Sequence, residues 1–388
     1  MEKSVKDLLL EVKNHVIPLI DLAYVAVLLG DQSLAERIIR TRDYLVNLHL
    51  ELSYNAILGG RFISDARKMV GLIELSRALL DIADACADLA KCAKEGVRPY
   101  NIEEFLEAGE IILDAIKIEP NSNLAEKKIS DLEKMGIYAD IIAIKRNGQI
   151  LVYPKPEEVL HAYDIVILRG RSDVLRKLLR ILGKKMPTRK AVDSEFLARL
   201  IEYKEKVQLN LELALSAILL DDEELAESVL EEEDTIDQLH SKLQDYVLKS
   251  ILTKIREIET HKMKLPEFSL RGYILGLLRL ISVNERIADA AWRIAKLVIN
   301  DYTPPEDLIR AIMESGEEFL RVFKLKSKSK LVGMQIKDLE EKFGVRIVAL
   351  KRKDTWIHDP HPVEKLQPGD EIIVHGYIEA LDDIKRII

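Results

Sequence analysis

Leu8, Val12 and Val16 recur at four-residue intervals, and Leu75, Leu79, Ile82 and Leu89 continue the same rhythm further along. Apolar positions at that interval form one stripe of an α-helix. Residues 1 to about 100 therefore predict three long amphipathic helices, broken at Leu29-Gly30-Asp31 and at Gly59-Gly60. Short links between long helices argue an antiparallel bundle. The same pattern returns from about 188 to 303, with breaks at Leu220-Asp221-Asp222 and Leu265-Pro266-Glu267. Elsewhere the pattern shifts to short Ile- and Val-rich runs: Ile111–Ile118, Ala139–Lys145, Gln149–Val152 and Asp164–Leu168. These read as strands. Asn147-Gly148 marks a tight hairpin. A short helix capped by Ser122 or Asn123 and a last helix over about Ser172–Leu182 complete a β-α-β-β-β-α unit. Residues 304–388 repeat it, with Lys353-Asp354 at the hairpin and Pro368-Gly369-Asp370 leading into the last strand.

The chain is thus written twice. IADACADLAK from Ile82 returns as IADAAWRIAK from Ile287, and LAERIIRTRDYLVNLH from Leu34 as LAESVLEEEDTIDQLH from Leu225. In the second unit, Arg146 and Gly170 return as Arg352 and Gly376. The expected fold is multidomain: two all-α antiparallel helical bundles, 1–100 and 188–303, alternating with two small α+β domains, 101–187 and 304–388.

Composition narrows the function. The 388 residues are 48% hydrophobic and 32% charged, with a net charge of −8. That balance argues against non-specific nucleic-acid or anionic-membrane binding, which needs a basic surface. The continuous apolar runs are far shorter than the ~20 residues of a membrane helix, so no direct membrane insertion is expected. The start, MEKSVKDLLLEVKN, lacks the apolar core of a signal peptide. Cys86 and Cys92 lie six apart on different faces of one predicted helix, which argues against a local disulfide or metal clip and fits a reducing, cytoplasmic compartment.

The helical segments resemble PhoU domains, most sharply at Glu285-Arg-Ile-Ala-Asp289, with a second Glu-x-x-x-Asp at Glu233–Asp237. The α+β segments resemble the C-terminal regulatory domain of TrkA and RCK proteins, through the IIAIKR and IVALKR strands and the Gly-Asp before IIVHG. The resemblance implies a non-catalytic cytoplasmic regulator of ion transport, with potassium the expected ion. It would work at the membrane through a channel or transporter partner. The alternative it leaves open is a PhoU-type phosphate-signalling or metal-binding regulator of a phosphate transporter. It also implies a homo-oligomer, expected to be a dimer, with the two TrkA-C-like units able to pair inside one chain. No Gly-x-Gly-x-x-Gly follows a strand, so no NAD is expected, and no nucleophile–base–orienter set is present.

Two sets of site residues follow. Glu233 and Asp237 share one helix face, as do Glu285 and Asp289, and each stacked pair costs about 0.2–0.5 kcal/mol on its helix. The resemblance implies that the four hold a divalent or ferric metal ion; the bland alternative is a solvated acidic face, since Asp221–Asp237 carries ten acidic residues. At the repeat-equivalent positions the first half has Arg42, Val46, Leu80 and Asp84. The second set, Asp140, Ile141, Arg346 and Ile347, opens the central strands at positions where the resembled family contacts a small ligand, a cyclic dinucleotide in some members. The family's Asn is replaced in both copies, and an Asp there disfavours a phosphate. Arg146 and Arg352 read as solvent charges flanking a strand. His358, His361, His49 and His240 read as structural.

Overall fold

The computed structural model describes residues 3–59, 63–97, 105–106, 111–135, 139–171, 175, 178, 195–259, 267–313 and 318–388. The first bundle is α1 (Val5–Leu29), α2 (Gln32–Gly59) and α3 (Ile63–Lys94). Ser4 caps α1 in a reciprocal box with Asp7, and Gly30 ends it in the left-handed conformation at φ 60°. Asp31 then caps α2, accepting from the Leu34 amide at 3.0 Å. By length and apolarity α1 is long enough to cross a membrane, which the short apolar runs did not suggest. Here it is a core helix, burying Leu8, Leu9, Val12, Val16 and Leu19 against its neighbours.

The first α+β domain carries β1 (Ile111–Lys117), β2 (Lys127–Lys128), α4 (Ile129–Lys134), β3 (Asp140–Arg146), β4 (Gln149–Val152), β5 (Val159–Leu160) and β6 (Ile165–Arg171). The second bundle is α5 (Glu195–Leu220), α6 (Glu223–Glu259) and α7 (Glu267–Ile299). After α8 (Glu306–Met313) come β7 (Glu318–Lys324), α9 (Ile336–Phe343), β8 (Arg346–Arg352), β9 (Thr355–His358), β10 (Glu371–Tyr377) and α10 (Ile378–Ile387). Most of the helix expected over Ser172–Leu182, and the break at Leu265-Pro266, lie outside the described residues.

Both sheets are antiparallel and share one strand order, β1-β6-β3-β4 and β7-β10-β8-β9. The hairpins turn where expected, at Asn147-Gly148 (φ 50° and 81°) and at Lys353-Asp354 (φ 51° and 62°). Each sheet is buried on both faces. Ile141 and Ile144 of β3 point into the domain's own small core, while Ile142 and Ala143 point into the bundle core. In β8, Ile347 and Leu350 divide from Val348 and Ala349 in the same way. A register shift between Ile141 and Ala143, and one between Ile373 and Val374, let adjacent residues share a face.

The sequence allowed the two α+β units to pair with each other. Among the described residues they share no strand pairing, because each sheet spends one face on its own helices and the other on the core of the bundles. The bundles pack together through α3 and α7, and one continuous apolar core runs through both. Cys86 and Cys92 are free and buried within it.

Candidate functional site

The acidic site sits on α6 and α7. Glu233 and Asp237 are one turn apart on α6; Glu285 and Asp289 are one turn apart on α7. Partial burial, reinforced by the charges of Asp237 and Asp289, pushes the Glu233 carboxyl up to about 7. Asp289 is also raised, by burial first, with repulsion from Asp237 and Asp81 offset by Arg293. Three of the four predicted carboxylates therefore feel one another. Glu285 instead takes a partner: its carboxylate pairs with Nδ1 of His240.

The sequence suggests only a structural role for His240; the fold draws it into the site. It lies three residues beyond Asp237 on the same face of α6, so the run Glu233, Asp237, His240 at helical spacing was the available signal. Its Nε2 is buried without a hydrogen-bond partner, and so is the hydroxyl of Tyr203 from α5, whose ring stacks on the imidazole with centroids 6.2 Å apart. Burial raises the Tyr203 hydroxyl, and the charges of Asp237 and Asp289 raise it further. Three carboxylates and an imidazole are donors that suit a hard or borderline cation. Among the described residues, no three such side chains already converge in a metal-holding group. In the first half, Arg42 stands where Glu233 stands and pairs with Asp84, the equivalent of Asp289. A tethered guanidinium there neutralises the one carboxylate that half retains.

The second set of predicted residues falls at the contact between each α+β domain and its bundle. Ile141 and Ile347 are buried in the small-domain cores; the side chain of Asp140 lies outside the described residues. Arg346 faces the bundle, 3.4 Å from the buried carboxylate of Glu212. Nδ1 of His375 is 3.2 Å from the same carboxylate. Burial would raise Glu212, but Arg346 and His375 outweigh it and hold the group down at about 2.

The docking contacts repeat in both halves. Lys145 bonds Asp31 at 3.0 Å, and its counterpart Lys351 bonds Asp222 at 3.2 Å. Asp222 also caps α6 and accepts from the indole of Trp356 at 3.0 Å. One residue thus ends a helical link and anchors a sheet. Arg169 on Asp21, 2.7 Å, is the first half's version of His375 on Glu212.

Arg146 and Arg352 are not the solvent charges expected. Each donates to both oxygens of a nearly inaccessible Asp (Asp164, Asp370) and to a Glu and a carbonyl, closing its domain around the last strand. His358 is partly buried at the sheet edge and His361 is exposed.

The TrkA-C domain family matches residues 115–183 and 320–388, and the PhoU domain family matches residues 9–93 and 200–298. The chain is built of two PhoU domains and two TrkA-C domains. It is 34% identical over 100 residues to the Ktr system potassium uptake protein C of Bacillus subtilis. That alignment spans 25% of this chain and 45% of the relative, less than half its length. Among solved structures, PhoU from Pseudomonas aeruginosa aligns at 17% identity over 79% of this chain and 96% of that one, with a TM-score of 0.39. The GsuK RCK domain aligns at 13% identity over 72% and 63%, with a TM-score of 0.18.

Proposed function

We propose that this protein is a non-catalytic regulator of potassium transport, acting at the cytoplasmic face of a membrane channel or transporter through its TrkA-C domains. The observation that carries this reading is the 34% identity over 100 residues to a potassium uptake protein. The geometry is consistent with it. Each TrkA-C sheet lays apolar residues on the bundle core and is pinned by a lysine to a helix-capping aspartate. A shift of either TrkA-C domain is therefore passed to a rigid helical frame. Deleting the gene in its host tests the proposal: growth on limiting potassium and rubidium uptake should change while phosphate uptake does not. Altered phosphate uptake with normal potassium uptake would reverse it in favour of a PhoU-type phosphate regulator.

Ligand control is the second part of the proposal. A cyclic dinucleotide bound at Arg346 would compete with Glu212 for the guanidinium. A divalent or ferric ion at Glu233, Asp237, Glu285 and Asp289 would supply positive charge to carboxylates that repel one another; the Glu233 carboxyl, pushed up to about 7, supports this. Side chains would rotate to receive it, and His240 would leave Glu285. Ligands that bind the folded state raise the melting temperature by mass action, so a thermal-shift panel of cyclic di-AMP, ATP, NAD, phosphate and divalent metals reads both.

A further inference from the structure

The seam between the two bundles is built from the repeat-equivalent helices α3 and α7. A shift of 205 residues brings Asp81 onto Arg286 and Asp88 onto Arg293. Across the antiparallel seam, Asp88 lies 2.5 Å from Arg286 and Asp81 pairs with Arg293. These two pairs are reciprocal: each joins the first position of one copy to the second position of the other. That is the contact pattern of an isologous two-fold interface. One turn from Asp81 and from Arg286 on the same helix faces, Ala85 and Ala290 match at the same shift and are both buried, so the apolar part keeps the symmetry. The charges do not. The first bundle offers carboxylates at both positions, and the second offers guanidinium groups at both.

We infer that this seam is a charge-sorted pairing surface whose partner is the other bundle of the same kind of chain, and that it rejects a second copy of either bundle. Two first bundles joined this way would set Asp81 against Asp88 twice. Two second bundles would set Arg286 against Arg293 twice. Like charges juxtaposed across an interface disfavour the wrong partner as much as opposite charges favour the right one. Two further contacts agree in sign, Arg286 at 3.8 Å from Asp84 and Arg279 bonding Glu95 at 3.0 Å, while Asp289 of α7 opposes Asp81. Arg77 and Lys91 also pair with Asp81 and Asp88 on α3 itself, so the α3 carboxylates keep some compensation when the α7 partners are lost. Within the chain this face is already occupied by the other bundle.

Charge reversal in the full-length chain tests this. Asp88→Arg alone and Arg286→Asp alone should each lower the melting temperature by about 1–1.5 °C, the scale of about 1 kcal/mol in a chain of this size. Asp88→Arg with Arg286→Asp should recover at least half of the summed loss. Additive loss in the double variant would overturn the inference. If a single reversal does not fold, the double variant decides: a folded protein supports the pairing, an unfolded one refutes it. Reversing all four residues should leave the mass by light scattering unchanged, and a new, larger assembly would also overturn it.

Discussion

Gly71 lies on α3 where the chain leaving α7 crosses it. A Cβ at this position would meet the carbonyl oxygen of Tyr302 at 1.7 Å, its carbonyl carbon at 2.9 Å and Cδ of Pro304 at 3.6 Å. Ordinary non-bonded contact between heavy atoms lies near 3.5 Å, so the carbonyl must retreat by roughly 1.5 Å or more to admit one methyl group. It has little freedom to do so. The Tyr302 amide closes the end of α7 by donating to the carbonyl of Leu297 at 2.8 Å, and Thr303 donates to Asp221 at 2.6 Å. In an open helical site, Gly→Ala stabilises by about 0.5–1 kcal/mol. Overpacking costs about 1–3 kcal/mol, and a clash with fixed backbone belongs at the upper end. Gly71→Ala should therefore destabilise by about 2 kcal/mol net. Gly272→Ala, with nothing within 4 Å of its Cβ, should stabilise by about 0.5–1 kcal/mol and serves as the control. Urea denaturation followed by circular dichroism measures both. A Gly71→Ala protein as stable as the parent, or more so, would refute the reasoning and the close approach of this linker to α3.

Three further outcomes follow from the same structure. Glu212 is held at about 2, so its contribution is complete above the usual carboxylate range and is lost as pH falls from about 4.5 to 2. That difference is worth about 3 kcal/mol, and Glu212→Gln should show a flatter stability profile across that window in acid melts. If a metal binds, metal analysis of protein purified without chelator should show it removed by Glu285→Ala with Asp289→Ala and unaffected by Asp84→Ala. Its uptake should rise with pH through about 7 as Glu233 loses its proton; equal loss in both variants would sink the assignment. Gly376→Ala would press a methyl group to 2.7 Å from Val345. It should destabilise the second TrkA-C domain in thermal melts, and Val345→Ala in the same chain should restore part of the loss by removing the atom it strikes.

The sequence by itself determined what depends on local period and turn chemistry. Leu8, Val12 and Val16 mark the buried stripe of α1, Asn147-Gly148 takes the φ its hairpin requires, and Asp31 and Asp222 stand where helices must be capped. Comparing the copies also isolated Glu233, Asp237 and Glu285 as features of one half, with Asp84 the counterpart of Asp289. Only the tertiary structure decided which charges meet. Arg146 and Arg352 looked like strand-end solvent charges, yet each closes on an Asp 18 residues away that is almost wholly inaccessible. Arg346 looked free to meet a ligand, yet it faces Glu212 across the docking seam. His240 looked structural because its neighbour Glu285 comes from another helix. The Ile- and Val-rich strands did not show that the second face of each sheet is covered by the bundle core. The physical reason is common to all of these. Periodicity records which face of an element is apolar, whereas the energy of a charge depends on what lies within a few ångströms of it, and that neighbour is brought there by residues far away in the chain.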